Sequence, residues 1–392
     1  MTQLESRVPE TPSGKVSRRP DHLLPTYARA DVTIVRGEGM RVWDDDGREY
    51  LDFGAGIAVV ALGHRHPAPL AAAQAQLDRL WHASNLYRTA PGEMLAALLS
   101  ERFGGAQAFL CNSGAEAVEA ALKYARKATG RPGVVALEGG FHGRTLGALS
   151  ATGQPAKRQP FAPLLPGVRF VPPNDVAALV SSVDGDVGLV LLEPILGEGG
   201  VVPLDAEFLA AAAELDALLC LDEIQVGVGR TGSFFAFEQP GVRPDLVTLA
   251  KGLANGLPIG ALLVADDAPR GLVAGDHGST FGGNPVSCAA ACAVVEAIDD
   301  GLLADVRKRG AALASGLAAL PGVREVRGRG LLLGAVLDRP AADVVESCRA
   351  RGLLVLTAGE VVLRLAPPLT VAEEDIAEAL AVLHTVLELR IL

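Results

Sequence analysis

Three apolar runs in the middle of the chain each end in an ionisable residue. The runs LVLLE, ALLCLD and LVTLAK end at Glu193, Asp222 and Lys251. Continuous apolar runs suit strands that are buried on both faces of a parallel sheet, and ligand sites of open α/β sheets lie beyond the carboxyl ends of such strands. A single charge can simply mark the point where a strand reaches water. Three such ends in succession favour one cleft that contains two carboxylates and an amine.

Lys251 has the most apolar sequence surroundings of the six lysines in the chain. The other five lie in the N-terminal segment, beside arginines or on a charged helix face, whereas Lys251 stands between LVTLA and GLANG. Burial lowers the pKa of a lysine amine, and the neutral amine is a nucleophile toward carbonyl groups. The following glycines would let a planar ligand approach the backbone. These residues alone leave a functional lysine and a structural one equally open.

The segment FLCNSGAEAVEAALKYARKATG predicts the end of a strand, a turn and a helix that stops at Gly130. Ser113 and Glu116 have the spacing of a capping box, which by itself explains a stable helix start. The same geometry offers free backbone amides beside Gly114, and these can bind a phosphate. The chain lacks the glycine patterns of phosphate-loop and dinucleotide-binding proteins, so the phosphate of ATP or NAD is disfavoured.

A second glycine-rich segment, GGFHGRTLGALSATG, contains Phe141, His142 and Arg144. Phe141 can be a core residue, but on a loop flanked by glycines it is better explained as a platform for stacking. The guanidinium of Arg144 suits a carboxylate, although a surface arginine would look the same in the sequence. His142 is assigned no role.

The surrounding pattern predicts an α/β fold with a mostly parallel sheet and a smaller α+β lobe. We expect a disordered tail at residues 1–20, a first part of the small domain at 21–66, a large domain at 67–285 and the rest of the small domain at 286–392. Turns are predicted at 37–39 and 44–47, strands at 331–337 and 353–356, and a last helix near Thr370 with a Thr370–Glu373 cap.

Composition excludes several classes of protein. The net charge of −11 argues against a nucleic-acid-binding surface, and no apolar run approaches the roughly 20 residues that span a bilayer. The N-terminus has no apolar core of a secretory signal, and none of the five cysteines forms a C-x-x-C pair. We therefore expect a cytoplasmic protein without a metal site.

The chain resembles the class-III, ornithine-type aminotransferases from about Leu24 to its C-terminus. Many motifs occur in the family's order, which is far more specific than any one motif. The segments that carry the resemblance are SNLYRT, FLCNSGAEAVEAALKYAR, FHGRTLGALSATG, EPILGEGGV, LDEIQVGVGRTG, DLVTLAKGLANGLPIGA, GSTFGGNP and RLAPPLT. The resemblance implies the pyridoxal-phosphate transferase fold of type I.

The resemblance also implies roles for individual residues. Lys251 would bind pyridoxal 5'-phosphate covalently and move protons, and Asp222 would pair with the pyridine nitrogen. Thr280 would reach the phosphate from the partner subunit of a homodimer. The other implied cofactor contacts are Ser113, Gly114, Ala115, Phe141, Glu223 and Gln225. The implied substrate contacts are Arg144, Glu198, Ser279 and Arg364.

The two arginines fit 2-oxoglutarate, the family's amino acceptor, because it has two carboxylates. When an ω-amino donor is bound, one arginine is idle, and the resemblance implies that Glu198 then neutralises Arg364. The apolar loop GIAVVALG at 56–63 resembles members of the family that use N2-acetylornithine, since free ornithine would bring an additional ammonium group. Arg88 is a departure from the family pattern that could alter donor preference.

Other interpretations stay open. Within the fold, the donor could be ornithine, 4-aminobutyrate or succinyl-diaminopimelate, or the enzyme could be an aminomutase. A nucleotide-dependent α/β enzyme would need motifs that the chain lacks. A scaffold that kept only the fold would not need Lys251, Asp222 and both arginines.

Overall fold

The structure is a computed structural model that describes residues 22–389. The predicted tail at 1–20 lies outside these residues. The described strands are β1 (Ile34–Glu38), β2 (Arg41–Asp44), β3 (Glu49–Asp52), β4 (Ala106–Cys111), β5 (Gly133–Leu137), β6 (Val168–Val171), β7 (Val187–Leu192), β8 (Ile195–Leu196), β9 (Val202–Pro203), β10 (Leu218–Asp222), β11 (Leu246–Leu249), β12 (Gly260–Ala265), β13 (Val323–Arg329), β14 (Leu332–Leu337), β15 (Leu353–Leu354), β16 (Leu356–Thr357) and β17 (Val362–Leu365).

The helices lie mostly between the strands of the central region. They are α1 (Ala55–Ala58), α2 (Pro67–Leu77), α3 (Ala90–Phe103), α4 (Gly114–Thr129), α5 (Leu146–Ala151), α6 (Pro155–Arg158), α7 (Val176–Ser182), α8 (Ala206–Ala213), α9 (Pro285–Ala297), α10 (Asp300–Ala318), α11 (Ala341–Arg349) and α12 (Glu373–Glu388). The short α1 is a left-handed turn, since all four of its residues have positive φ angles.

A seven-stranded sheet forms the centre of the fold, with the order β4-β12-β11-β10-β7-β5-β6. Only β12 runs antiparallel to its neighbours β11 and β4. The predicted mostly parallel sheet is therefore confirmed. The strands that end near Lys251, Asp222 and Glu193, namely β11, β10 and β7, are adjacent and parallel, so their carboxyl ends share one edge of the sheet.

Alternation along the central strands divides the interior into two cores. In β7, Val190 and Leu192 pack in one apolar cluster, whereas Leu189 and Leu191 pack in the other. Successive side chains of a strand point to opposite faces, so each central strand contributes to both cores. Every residue of β5, β7 and β10 is buried. This double burial explains why these strands are continuous apolar runs in the sequence.

Two smaller sheets are built from the ends of the chain. One has the order β1-β2-β3-β15 and the other has the order β13-β14-β17-β16. Because β15 pairs with β3, the N-terminal and C-terminal segments join in one sheet. Helix α9 packs on α2 and α3, whereas α10 packs on β13 and β14. We therefore propose that the smaller domain resumes at α10 rather than at residue 286.

Three local predictions differ from the structure. The last helix begins at Glu373, and the Thr370 hydroxyl donates to the carbonyl oxygen of Leu62 instead of capping it. The strand predicted at 353–356 is interrupted, because β15 and β16 belong to different sheets. The first turn follows β1, which extends to Glu38, so it is centred one to two residues later than predicted.

Within residues 22–389, no helix is both long enough and apolar enough to cross a membrane.

The double-sided core makes a stability prediction. Leu191 is fully buried on β7, whereas Leu146 at the start of α5 is 64% exposed. Leu191→Ala should lower the free energy of unfolding by about 2–5 kcal/mol, because it removes packed atoms and leaves a cavity. Leu146→Ala, the matched control, should change it by less than about 0.5 kcal/mol. Urea denaturation monitored by circular dichroism measures both, and equal effects would contradict the assigned burial.

Candidate active site

The three ionisable residues that follow central strands line one cleft. Glu193, Asp222 and Lys251 border a cavity of about 320 Å³, together with the turn at the start of α4 and Phe141. The cleft lies at the carboxyl edge of the sheet, where α/β folds commonly bind ligands. Glu193, Asp222 and Lys251 therefore lie together, as expected from the strand ends in the sequence.

Asp222 is a buried carboxylate with two partners. One of its oxygens accepts from the backbone N–H of Ile224 at 3.1 Å, and the other contacts Nδ1 of His142 at 2.7 Å. Burial alone would lower the pKa of His142, but the hydrogen bond and the negative charge of Asp222 outweigh it and raise the pKa. No local pattern around His142 indicates this contact, because Asp222 lies 80 positions away in the sequence.

Glu193 connects two backbone segments that border the cleft. Its carboxylate accepts from the N–H of Phe141 at 2.7 Å and from the N–H of Gly197 at 3.2 Å. Burial raises the pKa of Glu193 to about 7, against the opposing charge of His142. Glu193 therefore positions the loop of Phe141 on one side and the turn of Gly197 on the other.

Lys251 begins a 3₁₀ turn immediately after β11, and its backbone is strained. Its φ angle of 44° lies in the left-handed region, which side chains with a Cβ atom rarely adopt. Burial lowers the pKa of the amine, while the carboxylate of Glu198 acts in the opposite direction and Arg364 adds to the lowering. A lowered pKa increases the fraction of neutral amine, which is the nucleophilic form.

The first turn of α4 also lines the cleft. The Ser113 hydroxyl accepts from the N–H of Glu116, as the capping box predicts, while the Glu116 carboxylate reaches the N–H of Asn112. The first N–H groups of a helix have no partner within it, so those of Gly114 and Ala115 are free for an anion. A Cβ atom on Gly114 would lie 2.6 Å from the Ile224 side chain, so the turn requires glycine there.

Arg364 lies on β17 and is buried beside the cleft. Its Nη1 donates to Glu198 at 2.6 Å, to the Gln225 side-chain oxygen at 2.9 Å and to the carbonyl of Gly197 at 2.9 Å. Its Nε is buried and has no hydrogen-bond partner among residues 22–389. Burial acts to raise the pKa of Glu198, but the charge and the hydrogen bond of Arg364 act against it, and the pKa is lowered. The structure therefore brings together the arginine and glutamate that the sequence proposed as a pair.

Three predicted site residues lie elsewhere. Glu223 is not in the cleft, because its side chain points to the opposite side from that of Asp222. There its carboxylate accepts from the N–H groups of Ala236 and Phe237. Burial raises its pKa to about 8. Ser279 and Thr280 line a separate cavity, in which the Ser279 hydroxyl accepts from the Asn112 amide at 3.0 Å. Residues 22–389 contain no cluster suited to a metal ion.

Comparisons with known proteins agree with this geometry. The family model described as aminotransferase class-III matches residues 25–387.

The chain belongs to the class-III aminotransferases.

An acetylornithine aminotransferase of Corynebacterium efficiens is 48% identical to this aminotransferase over 94% of the chain and 95% of the relative. An acetylornithine aminotransferase of Mycolicibacterium smegmatis is 50% identical over 93% of this chain and 96% of the relative. A solved ornithine aminotransferase of Toxoplasma gondii has a TM-score of 0.89 and 34% sequence identity, and the match covers 94% of this chain and 92% of that structure. A solved N-acetylornithine aminotransferase of Stenotrophomonas maltophilia has a TM-score of 0.80 and 40% sequence identity, and the match covers 92% of this chain and 97% of that structure.

The family's cofactor is pyridoxal 5'-phosphate, and the cleft of this aminotransferase fits it. The N–H groups at the start of α4 would bind the phosphate. Phe141 would stack on the face of the ring, and Asp222 would pair with the ring nitrogen. The glycine at 114 leaves the space that a Cβ atom would fill. Lys251 lies in the same cleft and would provide the covalent attachment.

The chain's own residues contribute positioning and proton transfer. When bound, pyridoxal phosphate supplies a ring that withdraws electrons from the substrate carbon. The charge of Asp222 would keep a proton on the ring nitrogen, and His142 would keep that carboxylate in place. The free Lys251 amine would accept a proton at Nζ from the substrate carbon that bears the amino group, and would release it again as the amino group is transferred.

The placement of Asp222 makes the second prediction. Asp222→Asn preserves shape but removes the charge that would hold the ring nitrogen protonated, so kcat/KM should fall by at least about a hundredfold. Cofactor absorbance after gel filtration should show that pyridoxal phosphate is still bound. Asp45→Asn, in an exposed turn, is the control and should leave both measurements unchanged. A loss below threefold for Asp222→Asn would contradict the role.

Proposed function

We propose that the chain transfers the terminal amino group of N2-acetyl-L-ornithine to 2-oxoglutarate, giving N-acetylglutamate 5-semialdehyde and L-glutamate, a step of arginine biosynthesis. The sequence likeness carries this proposal. The relatives at 48% and 50% identity, over more than nine-tenths of the chain, are named acetylornithine aminotransferases. The same proposal includes the cofactor contacts that line the cleft but not Glu223, which faces away from it; these contacts are Ser113, Gly114, Ala115, Phe141, Asp222, Gln225 and Lys251.

The charges around the cleft support a dicarboxylic acceptor. Arg364 is buried with Glu198 as its acidic partner, and the Arg144 guanidinium lies 5.5 Å from the centre of the Phe141 ring. We propose that Glu198 pairs with Arg364 while the amino donor is bound and moves away when 2-oxoglutarate brings a second carboxylate. Arg144 would then bind the distal carboxylate of either substrate.

The left-handed turn α1 and the residues after it support an acetylated donor. Val59 lines the cleft, and the loop at 56–63 contains no acidic residue. The carboxylates of Glu193 and Asp222 that line the same cleft already accept from backbone or His142 donors. The free α-ammonium of ornithine would therefore lack an acidic partner, whereas the amide of the acetylated donor needs none.

Ornithine is the alternative donor. The structural likeness to the ornithine aminotransferase, with a TM-score of 0.89, is higher than the 0.80 found for the N-acetylornithine enzyme. Fold similarity therefore does not separate the two donors. The higher sequence identity of the acetylornithine enzymes favours the acetylated one.

We further propose a homodimer in the cytoplasm. Thr280 lies outside the cleft that Lys251 lines, so the Thr280 of the partner subunit would complete the phosphate site. Exposed apolar side chains surround this region, including Leu86, Tyr87 and Phe281, and dimer formation would bury them. All five cysteines are free thiols, which agrees with a reducing compartment.

A single-turnover titration of the holoenzyme tests the donor. Absorbance of the bound cofactor is followed while N-acetylornithine, ornithine and 4-aminobutyrate are added separately. We expect the absorbance of the cofactor to change with N-acetylornithine at least about tenfold more efficiently than with the others, and to be restored by 2-oxoglutarate. A faster response to ornithine would keep the aminotransferase and overturn the acetylated donor.

The proposed movement of Glu198 is tested by Glu198→Gln. Without the carboxylate, Arg364 stays available when the donor binds, so glutamate should compete better as a donor. The preference for N-acetylornithine over glutamate, measured as the ratio of kcat/KM values in the first half-reaction, should fall about tenfold. The exposed Glu214→Gln is the control. Two unchanged half-reactions in Glu198→Gln would disprove the pairing as a selectivity device.

A further inference from the structure

A second lysine lies close to the cleft. The Nζ of Lys157, in the short helix α6, is 4.9 Å from the centre of the Phe141 ring. The Arg144 guanidinium is 5.5 Å from the same centre. Two cationic groups therefore share one aromatic ring at the border of the cleft. Phe141 attracts both by its negative ring face, which partly offsets their mutual repulsion.

Lys157 is held in this position by a chain of hydrogen bonds. Its amine donates to the side-chain oxygen of Gln154. The side-chain nitrogen of Gln154 in turn donates to the carbonyl of Gly139 at 3.0 Å, in the loop that precedes Phe141. The lysine is half-buried, unlike its neighbour Ala156. Its amine is thus anchored to the loop that forms the wall of the cleft.

The charge of Lys157 has no acidic partner within ion-pair distance among residues 22–389. Burial and the charges of Arg144 and Arg364 lower its pKa, while Glu198 raises it. Three cationic side chains therefore act on one another near two carboxylates, the ion-paired Glu198 and the buried Glu193. When Glu198 pairs with Arg364, the charges of Arg144 and Lys157 remain uncompensated.

The two basic residues of α6, Lys157 and Arg158, contact different aromatic rings. The Arg158 guanidinium stacks 4.1 Å from the centre of the Phe170 ring, in the packing of the large domain. Lys157 instead lies over Phe141, which lines the cleft. A lysine with an uncompensated charge at this border is suited to an anionic ligand group rather than to packing.

We propose that Lys157 determines specificity for dicarboxylic substrates, by binding together with Arg144 the carboxylate most distant from the reacting carbon. The proposal rests on the proposed transfer to 2-oxoglutarate and adds a binding residue to it. The ammonium group supplies a point charge beside the planar guanidinium, so the two can contact both oxygens of one carboxylate.

Lys157→Met tests this, because methionine keeps an unbranched side chain but has no charge. With 2-oxoglutarate we expect KM to rise about tenfold and kcat to change less than twofold. With 2-oxopentanoate, which has the same chain length but no distal carboxylate, kcat/KM should stay within twofold. Lys157→Arg should recover most of the KM. Lys308→Met, at a surface ion pair with Glu373, is the matched control.

Calorimetry of the holoenzyme provides a readout that does not require turnover. The dissociation constant of glutarate should rise about tenfold in Lys157→Met, while that of pentanoate should not change. Unchanged glutarate binding and an unchanged KM for 2-oxoglutarate would overturn the proposal. Equal losses with mono- and dicarboxylic ligands would also overturn it, since they would assign Lys157 a structural role.

The two proposals can fail separately. Turnover of the wild-type enzyme with N-acetylornithine and 2-oxoglutarate tests the proposed function first. If that turnover is absent but glutarate binding depends on Lys157, the carboxylate site stands and the function is wrong. If turnover is present and glutarate binding is independent of Lys157, the function stands and this inference is wrong.

Discussion

The structure depends on keeping charged groups at the dry carboxyl edge of the central sheet. Burying an unpaired carboxylate is costly, so each must find donors within the fold. Asp222 is matched with His142 and the N–H of Ile224, and Glu193 with two backbone N–H groups. Lys251 is beside them with a pKa lowered by burial, although Glu198 acts to raise it. These pairings explain why a largely apolar sheet can end in a set of reactive side chains.

The same pairings link the two ends of the cleft. Glu193 holds the backbone of Phe141, which borders the predicted ring position, and that of Gly197, whose carbonyl accepts from Arg364. A Cβ atom on Gly197 would lie 2.4 Å from the Gln225 amide, so close packing at this turn requires glycine. One buried carboxylate thus connects the loop of Phe141 with the turn of Gly197. We expect a substitution that moves either segment to shift the position of the other through Glu193.

The features that could be predicted from the sequence are those that depend on a local pattern of apolar residues. Apolar runs predicted the parallel strands, and their last residues predicted Glu193, Asp222 and Lys251 in one cleft. Contacts between segments that are distant in the sequence could not be predicted in this way. The contact of His142 with Asp222 joins distant segments, and Glu223 faces away from the cleft because side chains alternate at the strand end. Thr370 contacts the carbonyl of Leu62 from the N-terminal segment, so a local capping pattern was misleading.

We propose that Lys251 is the residue that holds the cofactor. Borohydride reduction of the holoenzyme, followed by digestion and mass spectrometry, tests it directly because reduction makes the attachment permanent. We expect one pyridoxyl phosphate group per chain, located on Lys251, and no such group in Lys251→Arg. A label on another lysine, such as Lys157 beside the same cleft, or the absence of any label, would show that Lys251 does not hold the cofactor.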